Sequence, residues 1–292
     1  MPGIRIAVLL HENDEGRGHP AWTIHWLARA WEEKGHVVEW HKGPAQLASA
    51  DLVVPHVDLT VLPERYVGAL RAHPCVVNRN VVDISKSTFS DLGVRRGERV
   101  EGPVILKTEL NCGGEPERRL EGRPLREHHL LRSFRFLAGR DDPKSGFHPW
   151  RRLRSDHYPV FDSIDDVPAS VWKYPDYRVE RFMPERDGEL FATRSYLFAG
   201  SEEYAVRNRS RRSVVKAAGI VDRTEIEPDP EVRARREKLG FDFGKFDYVM
   251  VDGSMHLFDL NRTPTFSTNF GSDDRQMKLA RRMAAGMLEI LA

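Results

Sequence analysis

The stretch Phe246-Asp247-Tyr248-Val249-Met250-Val251-Asp252-Gly253-Ser254-Met255-His256-Leu257-Phe258-Asp259-Leu260-Asn261 constrains this chain more than any other, because two strand-like runs flank an Asp-Gly pair and read as a β-hairpin. Asp247 stands on the outgoing strand, Asp259 and Asn261 on the return. Two carboxylates and an amide oxygen are the donor set of a hard divalent cation, and Mg2+ held by few protein ligands keeps positions for water and substrate phosphates. Side chains alternate along a strand, so Asp259 and Asn261 share a face. A two-residue Asp252-Gly253 loop would pair Val251 with Ser254 and send Asp247 to the opposite face. A three-residue loop, either 251–253 or 252–254, restores the parity, as does a bulge. A metal site on this hairpin therefore predicts an odd-length loop or a bulge at Gly253. The alternative is a surface hairpin with ordinary exposed acids.

Composition bounds the rest. The chain has 292 residues, 40% hydrophobic and 30% charged, enough for two or three units with a substantial core. Its 45 Lys and Arg nearly balance 44 Asp and Glu, so no global field argues for nucleic acid or an anionic membrane. No apolar run approaches a membrane span, and Met1-Pro2-Gly3-Ile4-Arg5 leads into a strand without a signal-peptide pattern, so the expected compartment is the cytoplasm. Cys75 and Cys112 stand far apart without a CxxC partner, which excludes a thiolate zinc cluster and a disulfide framework.

Along the chain, Ile4 to Leu10 reads as a buried strand and residues 21–34 as a helix with Ile24, Leu27, Ala28 and Trp31 on one face, stopped by Gly35. Strands at Val37–Trp40, Leu52–Val54 and Cys75–Asn78 and a helix at Pro63–Ala72 complete an open α/β sheet. Gly16-Arg17-Gly18 is not the dinucleotide fingerprint, so a nicotinamide cofactor is rejected. The loop still lies where such sheets bind ligands, which makes His11, Glu12, Asp14 and Arg17 candidate substrate contacts or a solvated polar loop. A new strand begins at Gly102 and ends in Lys107, followed by a loop whose Gly113 and Gly114 can bring backbone N–H groups to phosphate oxygens. It is not a P-loop, because the GxxxxGK[ST] spacing is absent. Residues 115–157 are Arg-rich, with His128, His129, His148 and His157 in no regular metal spacing. Pro159–Asp162 and Tyr177–Met183 read as strands, Asp165–Lys173 as a short helix, and Leu190–Phe198 with Glu203–Arg207 as a hairpin. Asp274–Ala292 reads as a helix whose Met277, Met283 and Met287 fall on a core stripe.

In order and spacing these elements resemble the ATP-grasp superfamily, distantly the D-alanine:D-alanine ligase and RimK-type branches. The residues that carry the resemblance are Lys86 in Ser-Lys-Ser, the strand ending in Lys107, the segment Arg178-Val179-Glu180-Arg181-Phe182-Met183-Pro184-Glu185, and the acidic hairpin with its closing Asp-Leu-Asn. The resemblance implies an N-terminal open α/β domain (1–92), a small ATP-grasp subdomain with the Arg-rich insert (93–183) and a large subdomain carrying the Mg2+ site (184–292). By position it implies that Lys86 and Lys107 neutralise the α- and β-phosphates. Glu180 would accept from the adenine amino group, and the backbone around Arg181, Phe182 and Met183 would read the purine edge. Glu189 would hold the ribose hydroxyls. Asp247, Asp259 and Asn261 would hold one or two Mg2+, or Mn2+, while Arg194 and Lys216 reach the γ-phosphate. Lys245 occupies a position that is often Arg in the D-alanine:D-alanine ligase branch, where it supplies charge without the planar guanidinium fork.

The implied reaction joins a small-molecule carboxylate to an amine with ATP, through an acyl phosphate, giving ADP and phosphate. Two readings stand beside it: an ATP-grasp kinase acting on a small-molecule hydroxyl, and a nucleotide-binding module without turnover. Nucleic acid and membranes are not expected partners, and a homodimer is compatible with the resemblance.

Overall fold

β1 (Arg5–Leu10) is apolar from Ile6 onward because it is the middle strand of a parallel sheet, buried on both faces. α1 (Thr23–Glu33) follows, then β2 (Val37–Lys42) and β3 (Leu52–His56), which flank β1 with Ile6 opposite Val38 on one side and Leu52 on the other. The computed structural model describes residues 3–15, 22–122, 158–266 and 273–291. Arg17 and the histidines and arginines expected between 123 and 157 lie outside the described residues. α2 (Glu64–Arg71) packs Tyr66, Val67 and Leu70 on the first sheet. The strand expected at Cys75–Asn78 is reduced to one parallel bridge, Val53 with Val76.

A short α3 (Lys86–Phe89) leads to β4 (Val104–Thr108), α4 (Glu115–Glu121), β5 (Val160–Phe161) and β6 (Tyr177–Arg181). These three strands form an antiparallel sheet in the order β5-β4-β6. The helix expected at 165–173 is instead two 3-10 turns, Ile164–Asp166 and Val171–Lys173. Ser163 caps the first of them, and Pro168 stands between them, where its missing N–H and fixed φ oppose a continuous helix.

The third sheet is antiparallel and six-stranded: β7 (Glu185–Asp187), β8 (Leu190–Ala199), β9 (Glu202–Ser210), β10 (Ile220–Ile226), β11 (Phe243–Val251) and β12 (Ser254–Asn261). Its path is β10-β9-β8-β11-β12, with β7 paired to β8. α5 (Pro230–Leu239) precedes β11, and α6 (Asp273–Leu288) closes the chain. The back face of this sheet buries Tyr196, Phe198, Phe246 and Tyr248, with Val232 of α5 among them. The front face is divided. Its apolar half, with Leu197, Ala199, Tyr204 and Val206, packs with Met277, Met283 and Met287 of α6, which in turn meet α1 of the first sheet. Trp31 of α1 donates its indole N–H to Ala284 O at 2.9 Å, so the terminal helix joins two sheets by packing and by a buried hydrogen bond. The polar half of the front face carries Ser195, Asn208 and Asp247. The architecture is α/β plus α+β, and among the described residues no helix is long and apolar enough to cross a membrane.

Candidate functional site

The hairpin formed by β11 and β12 closes in a two-residue turn, against the expectation of an odd-length loop. Val251 pairs with Ser254, and Asp252 and Gly253 both take positive φ, 51° and 77°. That is the two-residue loop whose twist matches the flanking strands, and Asp-Gly favours it. The parity is rescued elsewhere. Tyr248 pairs with Leu257 while Asp247 pairs with Asp259, which leaves Phe258 as the extra residue of a bulge. Asp247 and Asp259 therefore stand directly opposed on neighbouring strands. The expectation of an odd-length loop or a bulge at Gly253 is corrected to a bulge at Phe258.

The bulge also aims Phe258 into a pair of adjoining cavities. One is an apolar slot of about 90 Å³, walled by Ile105 of β4, Phe182 and Met183 after β6, and Val249 of β11. The other is a polar chamber of about 230 Å³ lined by Lys86, Lys245, Asp247, Asp259 and Arg223. Lys107, Tyr158, Thr193, Val215, Lys216 and Phe258 border both, so the slot opens into the chamber.

Lysines dominate the chamber. Lys86 is 3% exposed, donates to Asn111 Oδ1 at 3.2 Å and stands 3.4 Å from Asp259 Oδ1. Lys107, last but one in β4, donates to Glu180 Oε2 at 2.8 Å and lies 5.0 Å above the Phe258 ring. Burial works against an ionised Glu180, yet Lys107 and Arg178 hold its pKa below the ordinary carboxylate value. Lys245 is 2.9 Å from Asp247 Oδ2; burial opposes its charge, but that pairing holds its pKa above the usual lysine value. Lys216 sits 3.9 Å from the centre of the Tyr158 ring, and burial lowers its pKa to about 8. Near the chamber, burial and then the charges of Asp259 and Asp58 push the Cys112 thiol up to about 11, which does not make a thiolate nucleophile.

Several expected contacts fall elsewhere. Arg194 cannot reach the chamber, because alternation along β8 turns Ser195 towards Asp247 and Arg194 to the back face. There Arg194 donates to Glu185 and, at 2.9 Å, to Asp229. Glu180 faces Lys107 and Arg178 and lines neither cavity, so its carboxylate orients a lysine where an adenine contact was expected. Arg181 borders the slot, but its guanidinium donates to Asp91 O and its N–H to Leu92 O; the Phe182 N–H is likewise committed, to Pro103 O. Glu189 is exposed in the turn between β7 and β8, outside both linings. Gly113 and Gly114 are buried in a left-handed turn, with φ of 69° and 71°, tied down by Asn111 to Thr60 and Leu260, and they line neither cavity. Asn261 shares the face of Asp259, but its Oδ1 accepts from the Thr263 N–H at 2.8 Å, closing a local turn. His11, Glu12 and Asp14 line neither cavity; Glu12 is held by Tyr66 and Arg65.

Tyr158, Thr193, Ser195, Asn208, Arg223 and Phe258 were not anticipated. The signal for Ser195 and Thr193 was the same alternation that moves Arg194 away, but it becomes readable only once the register against Asp247 is known.

No protein-family model matches the chain, and no curated protein matches it. Solved structures do. A RiPP-associated ATP-grasp ligase of Chryseobacterium gregarium, in complex with ADP and a leader and core peptide, matches over 99% of this chain and 97% of its own, at 10% identity and a TM-score of 0.53. A RimK domain ATP-grasp protein of Sphaerobacter thermophilus matches over 97% and 99%, at 14% identity and a TM-score of 0.47. The VanG D-Ala:D-Ser ligase of Enterococcus faecalis matches over 99% and 100%, at 9% identity and a TM-score of 0.47. With two sheets enclosing the slot and the opposed acids on the larger one, this chain has the ATP-grasp fold.

Proposed function

We propose that this chain is an ADP-forming, Mg2+-dependent ligase that activates a carboxylate as an acyl phosphate and couples it to an amine. The observation that carries the reading is the apolar slot opening into a lysine-lined chamber with Asp247 and Asp259 opposed. A fold shared with an ATP-grasp ligase in complex with ADP and peptides supports it. The division at 1–92, 93–183 and 184–292 belongs to the same proposal and is supported by the three separate sheets.

In this reading adenine enters the slot beside Met183, and the triphosphate extends into the chamber. Lys86 and Lys107 hold the inner phosphates; Lys216 and Lys245 face the outer one. Asp247 and Asp259 fit Mg2+, being hard oxygen donors few enough to share the ion with phosphates. Mg2+, when bound there, draws charge from the phosphoryl oxygens. A carboxylate oxygen of the first substrate attacks the γ-phosphorus, the bond to the bridging oxygen breaks, and ADP leaves with the electron pair. The amine nitrogen then attacks the acyl carbon and loses its proton as phosphate departs with the C–O electrons. The lysines of the chamber absorb the developing charge.

The test is a screen of carboxylate and amine pairs for ADP release with Mg2+, the product being identified by mass. Asp259→Ala is expected to abolish ADP formation while the folded circular dichroism spectrum persists. Unaltered turnover in that variant would remove Asp259 from the site.

A further inference from the structure

We propose that Arg223, Asn208 and Ser195 form a directional relay that orients Asp247 for the cation, an inference that rests on the nucleotide reading above. Arg223 Nε is 2.8 Å from Asn208 Oδ1, Asn208 Nδ2 is 3.3 Å from Ser195 Oγ, and Ser195 Oγ is 2.6 Å from Asp247 Oδ1. The four residues stand on β10, β9, β8 and β11, consecutive strands of one sheet. Arg223 is registered with Asn208, and Ser195 with Asp247; Asn208 pairs with Thr193, so its step to Ser195 is diagonal.

The chemistry of the groups sets the direction. A guanidinium only donates, so Asn208 must turn its carbonyl to Arg223 and hence its NH2 to Ser195. The Ser195 oxygen accepts from that amide, and its single proton is sent to Asp247 Oδ1. Each polarity follows from the one before it, and Arg223 fixes the first. Asn208 is 4% exposed, so the reversed amide, donor facing donor, would lack the water needed to relieve it. With Oδ1 held, Oδ2, which now faces Lys245 at 2.9 Å, is the oxygen presented to a cation. Arg223, Asn208 and Ser195 are thus positioning residues. Outer partners of this kind typically change metal affinity about 10- to 100-fold when removed.

The probe is ADP with Mn2+, read by paramagnetic resonance of the free ion and by calorimetry. S195A and R223M are expected to need about tenfold more Mn2+ for half-saturation of the ADP-bound protein. R223K, which keeps a donor at Asn208, stays near the parent protein, and the Mn2+ titrations are run on protein saturated with ADP, so that any change in ADP affinity is kept apart from the change in metal affinity. The double variant S195A/R223M loses no more than S195A alone, because both act through one path. Melting curves recorded alongside separate this loss from unfolding. Unchanged Mn2+ dependence in S195A and R223M, with the parent binding Mn2+ and ADP, overturns the relay alone, as does R223K behaving like R223M. Failure of the parent protein to bind ADP with Mn2+ overturns the nucleotide reading beneath it.

Discussion

Lys216 is the residue at which charge, burial and chemistry meet most directly. Burial lowers its pKa to about 8, so its ammonium is present below that pH and is lost as pH rises through it. If that charge faces the outer phosphate, kcat/KM for ATP falls above pH about 8, since this ratio reports groups of the free enzyme. Lys216→Arg keeps a cation at all working pH values and is expected to remove the fall. An identical alkaline limb in the Arg variant would assign the titration to another group. Stability moves the other way. Between about 8 and the ordinary lysine value the unfolded chain binds a proton that the folded chain does not, so folding gains stability as pH rises across that window. Activity and melting temperature should therefore diverge on the alkaline side.

At the scale of elements, the bulge at Phe258 is the informative device. A regular ladder from the Asp-Gly turn would seat Phe258 opposite Asp247 and turn Asp259 away; with the bulge, both Phe258 and Asp259 serve the front face. Deleting Phe258 should leave Leu257 opposite Tyr248 and Asp259 opposite Asp247, so Mn2+-dependent ADP binding persists. The loss of the ring that borders slot and chamber weakens nucleotide binding, by about tenfold if it contributes as aromatic stacking on a base commonly does. Loss of the metal dependence in the deletion variant would mean that the bulge does more than restore parity. The same element shows where the sequence was legible. The hairpin, the acids on it and the parity condition could all be read from alternation, because these are local. The place of the bulge could not, since it depends on how β11 is registered against both β8 and β12. Arg194 fails for the same reason: one step along β8 separates a chamber-facing Ser195 from an arginine paired with Glu185 and Asp229. Arg223 lay on an edge strand that the sequence reading did not place at all.

Across the whole molecule, the open α/β sheet, the strand carrying Lys107 and the methionine stripe were legible, because continuous apolar runs and helical periodicity survive any tertiary arrangement. How the sheets are joined was not. Arg262, buried, donates to Leu59 O, Thr60 O, Val81 O and Val82 O, and burial lowers its pKa to about 10. It thereby fastens the end of β12 to the segments leaving the first sheet, while Asn78 does the same for Asp242 and Phe243. The slot, by contrast, joins the two antiparallel sheets mainly across a gap: Ile105 and Lys107 of β4 face Thr193 of β8 and Val249 of β11. A nucleotide there would touch both walls at once, and ligand binding to the folded state adds about 2.7 kcal/mol at a hundredfold excess over Kd. ADP with Mg2+ is therefore expected to raise the melting temperature and to slow amide exchange in β4 and β6 together with β8 and β11. Asp259→Ala should lessen the Mg2+-dependent part of both effects while keeping the part due to ADP alone. Protection confined to one sheet would place the nucleotide outside the slot, because a ligand wedged between two walls cannot slow the opening of only one of them.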